Sequence, residues 1–222
     1  MLSEITYILL DAARMGNTIE IAKEKNSRFD SLYRGRSEES LAVVAPYLFL
    51  FQHKTDFINW YIEKGWGDAW GILLKSSYPM DELHKHFRKF LIVGTEDHQQ
   101  LYFRFYDPRV LRIFLPTCDT GQLREFFGPI EYFIMEDENK EFAIKCWLQN
   151  GILHSQKIKL DDLIKGNIPP PSAAPMKNLE SSPGTSENLF ERQPVNPVPE
   201  QTQSEEVAPK KPSKPKWNMF ED

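Results

Sequence analysis

The chain has 222 residues, of which 41% are hydrophobic and 13% aromatic, enough for one large hydrophobic core or two small ones. Its formal net charge of −5 is mild and evenly spread, so nucleic acid is not expected as a partner. The two cysteines exclude a disulfide framework, and no run approaches the roughly 18 apolar residues of a membrane span.

Short apolar runs alternate with amphipathic patterns through the first ninety residues, which is typical of strands connected by helices. A helix is predicted to begin at residues 37–39 and to stop before Pro46. A second helix begins at Thr55 or Asp56 and ends at Gly65, which suits a left-handed exit. The apolar runs predicted as strands are residues 5–11, 47–51 and 71–75.

The clearest amphipathic helix of the chain follows. Its apolar stripe consists of Met80, Leu83, Phe87, Phe90 and Leu91. His84 and His86 lie two residues apart and therefore on different faces of this helix, with no third ligand at metal spacing. We interpret them as surface residues.

A strand, a sharp corner and a helix are predicted within residues 101–116. Alternating side chains over residues 101–106 indicate a strand that places Arg104 between two tyrosines. Asp107 can then accept from the free amides of the next helix, and Pro108 suits its first turn.

Arg104 has two interpretations, and the sequence leaves both open. In the first, it pairs with a buried acid, Asp11 or Asp107, and fixes the architecture. In the second, Arg104 and Arg109 line a cleft that meets acidic or carbonyl groups of a partner.

Residues 130–160 are predicted to form an antiparallel meander. Asn150 and Gly151 form a strong hairpin signal because both tolerate the positive φ of a type I′ turn. The last strand is expected at an edge, where it either accepts a strand of a partner or is guarded by Lys157 and Lys159. The three predicted strands are residues 130–135, 141–148 and 152–160.

These patterns predict an α/β (α+β) fold in which helices flank a mixed sheet. We expect an α/β domain over residues 1–129, with a small antiparallel lobe over residues 130–165 packed on it. Residues 166–222 hold eleven of the sixteen prolines and three of the 28 aromatic residues, so we predict a disordered tail. Its tip, residues 214–222, resembles a short docking motif, although a solvated tail needs no such purpose.

No catalytic constellation is found in the sequence. The glycines of residues 65–71 follow a helix and precede a strand, whereas a phosphate cradle needs the opposite order. The histidines lack metal-ligand spacing, and no nucleophile elbow is present. We therefore predict a protein that is not an enzyme, with no catalytic residues, no metal and no cofactor.

Several sequence blocks resemble the adaptors, or effector chaperones, of bacterial type VI secretion systems, and they occur in that family's order. The blocks are YILLDAAR at residues 7–14, LYRG at 32–35, VAPYL at 44–48, GWGDAWGILL at 65–74, FRKFL at 87–91, FRFYDPRV at 103–110 and FFGP at 126–129. The resemblance implies a protein that binds a toxic effector in the producing cell and helps to load it onto the spike of the secretion machine.

For such a protein the expected partners are the effector and the spike tip protein, with no membrane partner. The first residues lack a secretory signal, so a cytoplasmic location is expected. Two alternatives stay open: an enzyme whose site assembles only in three dimensions, and an immunity-like protein that neutralises a toxin. Aromatic and arginine anchors dominate binding surfaces, and the candidates here are Tyr33, Arg34, Arg36, Trp66, Trp70, Arg104, Asp107, Arg109, Trp217 and Phe220.

Overall fold

The computed structural model describes residues 6–34, 41–50, 55–94, 100–165 and 167. Several sequence predictions lie outside these residues. They are the helix start at residues 37–39, the disordered tail with its docking tip, and the site candidates Arg36, Trp217 and Phe220.

The described residues combine nine strands with seven α-helices, which confirms the predicted α+β class. The strands are β1 (Tyr7–Asp11), β2 (Phe29–Ser31), β3 (Pro46–Leu50), β4 (Gly71–Lys75), β5 (Ile92–Gly94), β6 (Gln100–Tyr102), β7 (Tyr132–Glu136), β8 (Phe142–Gln149) and β9 (Ile152–Lys159). The helices are α1 (Ala12–Met15), α2 (Thr18–Lys25), α3 (Thr55–Gly65), α4 (Met80–Arg88), α5 (Pro108–Phe114), α6 (Thr120–Phe127) and α7 (Leu160–Lys165). Within this part of the chain, no helix combines the length and the apolar character needed to cross a membrane.

Seven strands form one sheet in the order β2-β3-β1-β4-β7-β8-β9, and β5 pairs with β6. Every described pairing is antiparallel, where we expected a mixed sheet. A helix that joins two strands, as α3 joins β3 to β4, is typical of a crossover between parallel strands. These two strands do run parallel, but β1 lies between them and pairs antiparallel with both.

The predicted meander is present as β7, β8 and β9. It continues the main sheet, because β7 pairs with β4. The domain boundary expected at residue 129 stays a prediction. Strand β9 lies at the edge of the described sheet, as expected.

The two sides of the main sheet carry separate apolar cores. Helices α1, α2, α3 and α7 contribute to one core, in which Ile8, Phe49 and Tyr61 are buried. Helices α4, α5 and α6 contribute to the other. At its centre the Phe126 ring lies 5.2 to 5.6 Å from four phenylalanine rings, those of Phe90, Phe105, Phe114 and Phe133.

The sequence signals for the β8–β9 hairpin and for the start of α5 are confirmed. Asn150 and Gly151 both have positive φ, 53° and 78°, and join β8 to β9 in a tight hairpin. Asp107 caps α5, since its Oδ1 accepts from the Arg109 amide at 2.9 Å, and Pro108 occupies the first turn.

The prediction of a strand over residues 101–106 is wrong beyond Tyr102. Strand β6 ends at Tyr102, and the Phe103 amide makes one further bond to the Leu91 carbonyl at 2.9 Å. The chain then turns, with the Asp107 amide donating to the Arg104 carbonyl at 3.0 Å. This turn brings Asp107 to the start of α5.

Two further expectations are corrected. The left-handed residue after α3 is Gly67, with φ of 89°, and Gly65 keeps a negative φ. Position 65 requires glycine for a different reason, because a Cβ there would lie 2.2 Å from the Trp70 ring. His84 is buried and bonds the Ser31 carbonyl at 2.8 Å, and His86 bonds the Phe126 carbonyl at 2.9 Å, so neither is a free surface residue.

Candidate functional site

One end of the main sheet collects charged side chains. Strand β1 ends at Asp11, opposite the first residue of β3, and the register of β7 on β4 places Glu136 at the same end. Three arginines lie at this end: Arg104 in the turn before α5, and Arg109 and Arg112 in α5 itself. We call the group the arginine–carboxylate cluster; its members are Asp11, Asp107, Glu136, Arg104, Arg109 and Arg112.

Arg104 and Asp11 form the pair at the centre of the cluster. Asp11 is fully buried, and its Oδ2 accepts from Arg104 Nη2. Its Oδ1 accepts from the Ala13 amide at 3.0 Å and so caps α1. Burial raises the pKa of Asp11, and the Arg104 charge and the Ala13 amide oppose that shift. The Arg104 side chain stays one-third exposed, at 33%, so solvent still reaches part of it.

Asp107 and Arg109 form a second pair. Arg109 donates from Nε to Asp107 Oδ1 at 3.0 Å and from Nη2 to Oδ2 at 2.6 Å, a bidentate arrangement. Asp107 is buried, whereas the Arg109 side chain is 42% exposed. As in the first pair, a buried carboxylate fixes the orientation of a guanidinium that solvent can reach.

Glu136 anchors the far side of the cluster. Burial raises the pKa of its carboxyl, and the backbone amides of Gly67 and Ala69 oppose that shift by hydrogen bonding. Ala69 holds a left-handed φ of 55°, unusual for a residue with a side chain. Arg112 donates to the Glu136 carbonyl at 2.6 Å and ties α5 to β7.

Tyr33 and Tyr106 lie near Arg104. Burial raises the pKa of both phenols, and Tyr106 is buried. The Tyr33 ring lies 6.3 Å from the Tyr102 ring, which is 62% exposed. We call Tyr33, Tyr102, Arg104 and Arg109 the tyrosine–arginine surface.

The remaining described candidates make other contacts. Trp70 is a core residue, 9% exposed, and its ring packs 5.7 Å from Trp60. Trp66 is half-buried and donates from Nε1 to the Lys140 carbonyl at 2.9 Å. Arg34 lies on the surface and pairs with Asp30 at 2.6 Å.

Glu136 and Arg112 belong to the cluster and Tyr106 lies near Arg104, but none of the three was predicted as a site residue. The signal for Glu136 was available, because alternation along β7 puts it on the same side as Tyr132 and Ile134. The neighbouring acids Asp137 and Glu138 are also typical of a solvated acidic turn, which hides this signal. No sequence pattern pairs Tyr106 with Tyr33, because that contact joins two distant segments.

Three features of the described residues bear on small-molecule chemistry. A cavity of about 40 Å³ is lined by Arg112 and apolar side chains, well below the roughly 300 Å³ of a typical ligand site. Burial raises the pKa of Cys118 and of Cys146 to about 12, so both thiols stay protonated at neutral pH. In this part of the chain, no three His, Cys, Asp or Glu side chains are placed to hold a metal ion.

Comparison with known proteins identifies one family. Residues 6–125 match the family described as Domain of unknown function (DUF4123), a span that includes β1 to β6, α5 and most of α6. No curated protein and no solved structure matches the chain. Because the match covers more than half of its 222 residues, the chain belongs to the DUF4123 family of unknown function.

Proposed function

We propose that this chain is a cytoplasmic adaptor of a type VI secretion system that binds a toxic effector and helps to load it onto the spike tip protein. The sequence blocks that resemble the effector chaperones support this, and six of the seven lie entirely within the family match. The observation that carries the proposal is the tyrosine–arginine surface.

That surface has the physical properties of a binding hot spot. Each of its two arginines is held by a buried carboxylate, so little side-chain entropy is lost when a partner binds. Tyr102 adds an exposed ring that can be buried against a partner. Tyrosine and arginine are among the residues that contribute most to protein–protein affinity.

A partner of matching chemistry would present carboxylates or backbone carbonyls to the guanidinium groups and apolar surface to the tyrosines. Because Asp11 and Asp107 already neutralise the arginines, the surface does not attract polyanions by net charge. Short-range, oriented hydrogen bonds would therefore determine specificity, as suits one cognate effector.

Co-expression with the toxin encoded by the neighbouring gene tests the proposal. Arg109→Glu should abolish co-purification of the toxin while the variant stays folded by circular dichroism. Arg124→Glu is the matched control, because Arg124 is exposed near the β8–β9 hairpin at the opposite end of the sheet. Tyr102→Ala is a second variant that leaves both ion pairs intact, and we expect it to weaken capture as well.

A deletion in the producing strain distinguishes delivery from neutralisation. Loss of toxin secretion without self-poisoning is expected of an adaptor. Self-poisoning with normal secretion would indicate an immunity-like protein, and equal capture by wild type, Arg109→Glu and Tyr102→Ala would refute the proposed surface.

A further inference from the structure

The backbone of β9 carries hydrogen-bonding groups along its outer edge. Directly after β9, the Leu160 amide donates to the Glu141 carbonyl at 2.8 Å, in the same register as β9 on β8. Because hydrogen bonding alternates along an antiparallel pair, the even-numbered residues of β9 bond β8 as well. The amides and carbonyls of Leu153, Ser155 and Lys157 therefore point away from β8. No strand among the described residues pairs with this edge.

The Lys157 side chain does not guard this edge. Its Nζ lies 4.5 Å from the centre of the Phe142 ring in β8 and pairs with Asp137, which follows β7. Because β7 and β8 both lie on the inner side of β9, the ammonium group is directed away from the outer edge. Lysines protect an edge strand when their charges lie along it. In β9 that leaves Lys159, which is exposed at the last position of the strand.

The apolar cavity of about 40 Å³ lies beside the same edge. It is lined by Arg112, Leu115, Pro116, Ile144, Cys146 and Leu153. Ser155 lies directly opposite Cys146 in the register of β8 and β9, so both side chains are on the cavity side of the sheet. A side chain opposite Ser155 on an added strand would therefore lie next to the cavity. The space is that of about one or two methyl groups, which suits Ala or Val.

One partner can contact both this edge and the tyrosine–arginine surface. Arg112, which lines the cavity, lies three positions after Arg109 on α5, and residues three apart are neighbours on a helix. A second copy of the chain that paired through β9 alone would contribute eight residues, whereas a stable interface contains about 20–30 residues a side. The effector therefore suits this edge better than a second copy does.

We propose that an extended segment of the effector binds the outer edge of β9 as an additional antiparallel strand. The backbone groups of Leu153, Ser155 and Lys157 bond the segment, and an Ala or Val opposite Ser155 fills the cavity. An acidic residue of the segment lies near Lys159, and the segment ends before the β8–β9 hairpin. This inference rests on the proposed adaptor function, because it specifies which part of the effector is bound and where.

Amide hydrogen exchange of the full chain, measured residue by residue by NMR, tests the pairing. In the free protein the amides of Leu153, Ser155 and Lys157 should exchange fast, and those of Gln156 and Ile158 slowly. Binding of the neighbouring toxin should slow the three outward amides at least about tenfold and leave the other two unchanged. Outward amides that are already protected in the free chain, that toxin does not slow, or that slow with the concentration of the chain alone would each overturn the proposal.

Ser155→Pro tests the same edge by affinity. Proline removes the outward amide, and an edge strand accepts it where the N–H faces away from the sheet. The dissociation constant for the toxin should rise about tenfold, whereas the matched control Ser155→Ala keeps the amide and should bind as wild type. If Ser155→Pro does not fold, the exchange experiment on the wild type decides.

The two proposals fail in different ways. Toxin binding that Ser155→Pro leaves unchanged would overturn the β9 pairing and leave the proposed function intact. Failure of the wild type to bind the toxin would refute the proposed function, and this inference with it.

Discussion

The phenylalanine core around Phe126 is buried, whereas the arginine–carboxylate cluster pairs buried carboxylates with partly exposed arginines, and the two stabilise the fold by different physics. The core consists of rings whose contacts require close packing and no particular partner. The cluster depends on specific partners, because the buried carboxylates of Asp11 and Asp107 each orient one guanidinium. The core therefore serves folding, whereas the cluster also holds groups at the surface for recognition.

Phe126→Ala should have the largest effect on stability. The substitution removes a fully buried ring with four aromatic neighbours, and we expect the free energy of unfolding to fall by about 3–5 kcal/mol. Urea unfolding measures the loss. Ile113→Ala on α5 is the control, since Ile113 is 57% exposed and should change stability by about 0.5 kcal/mol or less. A loss similar to the control would contradict the assignment of Phe126 to the centre of the core.

Asp11→Asn should rank second. The amide keeps the acceptor that caps α1 but leaves Arg104 without its counter-charge. Because Arg104 is one-third exposed, we expect a loss of about 2 kcal/mol, below the 3–5 kcal/mol of a fully buried pair. Adding Arg104→Met should restore part of the lost free energy of unfolding. If the double variant is no more stable than Asp11→Asn, the two side chains are not coupled.

Glu136→Gln should give a smaller, pH-dependent effect. Burial raises the pKa of Glu136 above its ordinary 4.5, so between 4.5 and the raised value the folded state holds more protons than the unfolded state. Stability of the wild type therefore falls as pH rises through that window. When thermal unfolding is measured at pH values from 4 to 7, the Tm of Glu136→Gln minus the Tm of wild type should increase as the pH rises. A Tm difference that does not change with pH would show that Glu136 is not the titrating group.

Arg109→Ala should have the smallest effect on stability, below about 1 kcal/mol, because an ion pair with a half-exposed arginine contributes little. Its effect on binding should be the largest of the four. This contrast separates the two regions most clearly: a core substitution lowers stability, whereas this one lowers capture. An Arg109→Ala variant that unfolds as readily as Phe126→Ala would remove the distinction.

Local sequence signals predicted much of this fold. The Asn150–Gly151 hairpin, the Asp107 cap and the apolar stripe of α4 depend on contacts within a few residues, and the structure confirms each. The antiparallel sheet could not be predicted, because the insertion of β1 between β3 and β4 is a long-range choice. Similarly, Arg104 was expected to pair with one of two acids, and only the fold selects Asp11, 93 positions away.

The most direct test of the central claim is the dissociation constant for the neighbouring toxin, measured by calorimetry with wild type, Arg109→Ala, Tyr102→Ala and Arg124→Ala. We expect each of the first two substitutions to weaken binding about 30-fold, as the loss of a hot-spot residue worth about 2 kcal/mol does. Arg124→Ala should bind as wild type. Equal affinities for all four proteins would contradict the claim that this chain holds its partner through the tyrosine–arginine surface.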